Sequence, residues 1–231
     1  MKKLPKPILT LLSATIFLFS ECNTYSLIKD ATDKEEGRII MNDGTEYVGR
    51  VKMPHSPTKK IRIKTTEGQK VKLKSTDVYI MGVWKKTNPD NVTYLVCHPY
   101  YTGLYFSTKK RKKVDPSWMC LEAKGRYVEF YILGYKYSIN SKGVFKIAVG
   151  GGGLIQYLAR KKDDDTAIVI GTYKGNKDLL RKELVEYLSD DPELCSRITD
   201  MEIEPDDFSE IADKYRPQNE KDDVELPNTK F

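Results

Sequence analysis

The sequence predicts a mainly β protein, an antiparallel barrel or sandwich built from hairpins, with a small C-terminal α-helical appendage. Three observations carry that expectation. Apolar and polar residues alternate with a period of two from Gly37 to about Tyr173, the pattern of half-buried strands. Turn residues punctuate the alternation at hairpin spacing, Asp43-Gly44 first among them, and these types tolerate the positive φ of a tight turn. The period then changes, with Leu180, Leu184 and Leu188 recurring every four positions, as on one face of a helix.

Before the strands comes an address. Met1-Lys2-Lys3 and Lys6 form a basic start, and Ile8 to Phe19 is an apolar run of twelve residues. Spanning a bilayer takes about 20 apolar residues, so the run reads as a secretory signal over 1–20. Ser20 is a small residue suited to ordinary cleavage. Cys22 stands where a lipoprotein carries its acylated cysteine, although Glu21 departs from the usual small residue before it. Lipidation at Cys22 and simple secretion both stay open, and the address is the periplasm or outer membrane. Removing residues 1–20 takes away Lys2, Lys3 and Lys6 and lowers the formal charge from +6 to +3. Residues 21–36 read as a linker.

The β-rich domain is expected over 37–175. "GRIIMNDGTEYVGRVKM" holds two strands around Asp43-Gly44, with Tyr47, Gly49, Val51 and Met53 on one face of the second. After Pro54 and Pro57 comes "KKIRIKTTEGQKVKLKS", a second hairpin turning near Glu67-Gly68, whose Ile61, Ile63, Val71 and Leu73 share a face. Further strands are expected at 78–84, 92–97, 118–123, 127–139, 144–149, 154–159 and 167–173. Cys97, Cys120 and Cys195 form no CxxC, which excludes a zinc or redox motif of that type. Cys97 and Cys120 are either a disulfide of an oxidising compartment or buried thiols acting as small hydrophobes.

The helical appendage is expected over 176–216. Asp191-Pro192 reads as a cap with proline in the first turn. Pro205 opens another helix, in which Phe208, Ile211, Ala212 and Tyr215 follow helical spacing. Residues 217–231 are polar, acidic and aperiodic, and read as a disordered tail.

An exported, strand-rich chain that begins its body with "GRIIMNDGTEYVGRV" and closes with "YLSDDPELCSRI" and "DDFSEIADKY" resembles a broad group of uncharacterised cell-envelope proteins of Bacteroidota-type bacteria. The resemblance covers the signal, the first hairpin and residues 187–215. It implies the envelope address, and implies no activity, cofactor or catalytic residue.

The motifs that tempt towards chemistry do not hold. Gly150–Gly153 lacks the Lys-Ser/Thr of a P-loop, and Ile155 breaks the dinucleotide spacing; it reads as a turn or bulge between strands. Asp163–Asp165 lacks the alternation and the downstream Glu of a calcium loop. Adjacent carboxylates on an extended chain point apart, so a polar turn is the better reading. His55 and His98 lie outside any HExxH, and no GxSxG elbow exists. No cofactor, no metal and no catalytic residue is expected, and the chain reads as non-catalytic.

Two surfaces are left as candidates for binding. With Ile61, Ile63, Val71 and Leu73 pointing inwards, Lys60, Arg62, Lys64, Lys70, Lys72 and Lys74 must point outwards together. The second basic run, Lys109 to Lys113, lies in an apparent loop. Solvated lysines commonly guard sheet edges; the functional reading is a face for an anionic envelope component. Export argues against nucleic acid. The other surface is aromatic: Tyr127, Tyr131, Tyr135 and Tyr137 share a face of a regular strand, and Tyr100, Tyr101, Tyr105 and Phe106 lie nearby. Such rows stack glycans or protein partners, though ordinary cross-strand packing is commoner.

Overall fold

The computed structural model describes residues 35–105, 111–140, 142–149 and 153–218. The signal, Cys22, Phe106, Lys109, Lys110, Gly150–Gly152 and residues 219–231 lie outside the described residues.

The first hairpin forms as its turn residues require: β1 (Glu35–Met41) and β2 (Glu46–Val51) pair antiparallel around Gly44, whose φ is 84°. β1 starts inside the expected linker, because Glu35 is buried and held by Lys85 at 2.7 Å. The second hairpin, β3 (Lys60–Thr65) and β4 (Lys70–Lys74), pairs onto β2. Gly49 permits that approach, since a Cβ there would overlap the Lys64 carbonyl oxygen. A 3-10 turn, Ser75–Asp77, then returns the chain as β5 (Val78–Lys85) to the free edge of β1.

The next two strands are longer than the alternation suggests: β6 (Asn88–Leu104) and β7 (Lys112–Lys124). Pro99 and Pro116 interrupt the sequence pattern, and a strand proline is normally confined to an edge or a bulge. Both lie in one irregularity, where the register passes from His98 opposite Ser117 to Tyr100 opposite Val114. β8 (Val128–Leu133) follows, then β9 (Lys136–Ile139) and β10 (Phe145–Ala148) as a separate two-stranded sheet. Residues 127–139 are thus two strands broken at Gly134-Tyr135, not one. β11 (Gln156–Lys161) and β12 (Ala167–Thr172) complete the set.

The ten strands of the large sheet run in the order β12-β11-β8-β7-β6-β5-β1-β2-β3-β4. β12 also pairs parallel with the second half of β6, at Tyr100, Tyr101 and Leu104. That one parallel contact closes β6, β7, β8, β11 and β12 into a five-stranded barrel. Val96, Met119, Tyr131, Leu133, Leu158, Ala167 and Val169 form the apolar cluster inside it. The first half of β6 instead pairs with β5, which joins the barrel to a lobe of β1 to β5. The lobe's own core gathers Ile39, Val51, Ile61, Ile63, Leu73, Met81 and Leu95 around Trp118.

Three helices follow: α1 (Lys177–Tyr187), α2 (Pro192–Thr199) and α3 (Phe208–Lys214). Each begins at a side-chain cap: Asn176 accepts from Leu179 N, Asp191 from Leu194 N, and Asp207 from Glu210 N. Leu180, Leu184, Ile198, Phe208 and Ile211 bury against Phe130, Ala159 and Ile170 on the outside of the barrel. Gly125 lets α3 settle, because a Cβ there would overlap the Ala212 carbonyl oxygen. The appendage therefore shares a core with the barrel. Gln218 N still bonds the Asp190 carbonyl at 3.0 Å, so order extends two residues into the expected tail.

Candidate functional site

The expected basic face is formed. Strand alternation sends Ile61, Ile63 and Leu73 into the lobe core and leaves Lys60, Arg62, Lys64, Lys70, Lys72 and Lys74 exposed. The register sets like charges directly opposite one another: Lys60 faces Lys74, Arg62 faces Lys72, and Lys64 faces Lys70. Opposed residues on paired strands have Cβ atoms about 5 Å apart, and like charges there are unfavourable. Arg50 of β2 adds to the row because it lies opposite Lys64. Lys52 follows Val51, which pairs with Ile63, and so falls beside Arg62. Among the described residues, these seven cations (Arg50 with the six of the hairpin) have no acidic partner. Arg38, Lys85 and Arg160, by contrast, each hold a glutamate within 2.8 Å.

One part of this face is concave. Lys52, Lys60, Arg62 and Lys72 line a recess of about 520 Å³, with Pro54, His55 and Thr58 of the β2–β3 connection as its wall and Met53 and Ile61 beneath. That wall is pinned from behind. Ser56 N donates to the Tyr135 carbonyl at 2.9 Å and its own carbonyl accepts from Trp118 N at 2.8 Å. The buried Trp118 indole donates to the Thr58 carbonyl at 3.1 Å and to Ser75 Oγ at 2.9 Å. Ser75 Oγ donates in turn to the Thr58 carbonyl at 2.7 Å, while His55 N donates to Thr58 Oγ1 at 3.0 Å.

The tyrosine row is not a surface. Tyr127, Tyr131 and Tyr137 are only 6%, 0% and 2% exposed, and each belongs to a different core cluster. The break at Gly134-Tyr135 destroys the common face, and only Tyr135, at 50%, reaches solvent. Tyr137 OH donates to the Trp118 carbonyl at 2.8 Å and accepts from Gly134 N at 3.0 Å. Burial pushes its ionisation well above the ordinary tyrosine value.

A different aromatic surface is present, which the sequence reading missed. Tyr79, Trp84 and Tyr94 line a groove of about 700 Å³ with Ile40, Ile80 and Leu121. The signal was there: β5 is apolar on both faces, Met81 and Val83 on one and Ile80 and Trp84 on the other. Two apolar faces call for two coverings, and the second is incomplete. Ile80 and Leu121 also pack against the barrel's apolar cluster, and Lys124 in the groove's lining connects it to a polar network. There Lys124 Nζ bonds Tyr79 OH at 3.0 Å and Glu129 Oε1 at 3.3 Å. Glu129 Oε2 accepts from Arg160 at 2.6 Å and from Tyr131 OH. Burial alone would raise the Glu129 carboxyl; the bonds from Tyr131 and Arg160 outweigh it and hold it low. His98, its ring 5.9 Å from that of Tyr131, is pushed down to about 4 by burial and by the Arg160 charge.

The remaining expectations resolve simply. Arg111 stacks over Tyr105 at 5.1 Å and Lys113 pairs with Asp165 at 3.2 Å, so part of the second basic run is engaged within the protein. Lys112 and Lys113 belong to β7 rather than to a loop. Asp163–Asp165 make the β11–β12 turn, with Asp164 N bonded to the Lys161 carbonyl. Among the described residues no three His, Cys, Asp or Glu converge as metal ligands. Cys97, Cys120 and Cys195 are free, buried thiols, and burial pushes Cys97 and Cys120 up to about 12. Cys97 sits opposite Trp118 and Cys120 opposite Leu95, so the two are not a facing pair. No family model, no curated protein and no solved structure matches the chain.

Proposed function

We propose that this is an exported, non-catalytic envelope protein that binds an anionic envelope component through the outer face of β2, β3 and β4. One observation carries the reading: three opposed cation pairs, extended by Arg50, without acidic partners among the described residues. Holding like charges side by side costs folding free energy, and an anion bound across them removes that cost. The export address rests on the basic and apolar segments of residues 1–20. Finding the chain in the cytoplasm with Met1 retained would defeat it.

Changing Arg62, Lys64, Lys70 and Lys72 to Gln tests the binding itself. The parent should bind anionic vesicles at low salt, and less as salt shortens the screening length to about 10 Å at 0.1 M. The variant should fold normally and bind weakly. Absence of parent binding at low salt refutes the reading.

The groove lined by Tyr79, Trp84 and Tyr94 supports a second reading, a glycan or protein-partner module. It replaces the buried tyrosine row as the aromatic candidate. Glycan binding that survives high salt and is lost in Trp84→Ala would favour it.

A further inference from the structure

We infer that the recess walled by Pro54, His55 and Thr58 is the specific part of the basic face, and that it receives a phosphomonoester or diphosphate group rather than a length of acidic polymer. The inference rests on the anion-binding reading above. An extended polyanion would meet the cation rows as a line of charge and use each about equally. The rows are not equivalent, however. Lys60, Arg62 and Lys72 converge on the recess with Lys52, whereas Lys64 and Lys70 do not line it. A phosphomonoester brings a charge of about −1.5 to −2 and three strong acceptor oxygens to one point, which matches several cations around one hollow. Arg62 supplies the planar fork that bonds a phosphate through two N–H groups, and the lysines act as point charges.

Rigidity separates this hollow from a chance depression between mobile side chains. The Thr58 carbonyl is held by both Trp118 Nε1 and Ser75 Oγ, and Ser56 is bonded on both sides of its peptide. Trp118 is fully buried. The wall is therefore in place before a ligand arrives, and the ordering that binding still imposes falls on the exposed cationic side chains.

The test uses two charge-matched variants of the purified protein, Arg62→Gln/Lys72→Gln in the recess and Lys64→Gln/Lys70→Gln beside it. Urea unfolding first checks that both fold as the parent does. Binding is then measured to phosphatidylcholine vesicles carrying phosphatidate or phosphatidylserine at matched surface charge, and to inorganic pyrophosphate in solution. The parent should prefer phosphatidate by about tenfold or more, equivalent to about 1.4 kcal/mol. The recess variant should lose that preference. The flanking variant should weaken both vesicle types alike and keep it. Pyrophosphate that binds and competes makes any accessible phosphate a ligand. A persisting phosphatidate preference without pyrophosphate binding assigns the site to a lipid headgroup. Equal binding of the parent to both vesicle types, or equal losses in the two variants, overturns the recess while leaving the charged face standing. No binding to either vesicle at low salt overturns both.

Discussion

His98 makes the fold acid-sensitive, and the size of the effect follows from its surroundings. The half-buried ring lies against Tyr131 near Arg160, Glu129 and Lys124. Burial and the Arg160 charge both oppose its protonation, the nearby Glu129 only partly offsets them, and its pKa falls from 6.5 to about 4. Because the folded-state value is depressed, the unfolded chain takes up the proton first. The stabilisation is complete above about pH 6.5 and is lost progressively as pH falls towards 4. At about 1.4 kcal/mol per pH unit, the whole window is worth about 3 kcal/mol, and about 2 of that falls between pH 7 and 5. Solvent access to part of the ring reduces the expectation to about 1 kcal/mol. Glu129 acts in the same direction but lower down. Its carboxyl is held below the ordinary 4.5, so its stabilisation is present above that pH and is lost as pH falls beneath it. Urea unfolding at pH 7 and pH 5 separates the two. The parent midpoint should fall by about 0.3–1 M, given an m-value of about 1–3 kcal/mol/M. Whatever the starting stability of His98→Gln, its midpoint should hold nearly constant across that interval. A parent midpoint that does not move, or a variant that keeps the full slope, refutes the assignment.

Two further outcomes are expected. Trp118→Phe removes the indole bonds to Thr58 and Ser75 and leaves a small void. It should cost about 1–3 kcal/mol in thermal or urea unfolding and reduce the preference for phosphatidate vesicles, because the recess wall loses its anchor. The Arg62, Lys64, Lys70, Lys72→Gln variant should be as stable as the parent or slightly more so, since it deletes two opposed cation pairs and no packing; a lower urea midpoint would mean those cations have partners that stabilise the fold.

Local features were legible in the sequence wherever one strand or one turn decides them. The alternation of Lys60–Lys74 fixed which side chains face the core, because neighbouring residues on a strand point to opposite faces whatever lies beyond. Asp191 acted as a cap because a cap needs only the next helical turn, whereas the last helix starts at Phe208 behind the Asp207 cap rather than at Pro205. The same logic misled at residues 127–139, where the tyrosine spacing suited one long strand. The corner at Gly134-Tyr135 exists because Tyr137 bonds Gly134 and the Trp118 carbonyl, and a periodicity carries no record of that second partner. Closure of the barrel depended on β12 meeting the far half of β6, across more than sixty residues. The recess depended on Trp118 reaching Thr58, sixty residues away. Strand periodicity states which side of its own backbone a residue occupies. What stands opposite is set by how the sheet twists, closes and is covered, and only the tertiary structure supplies that.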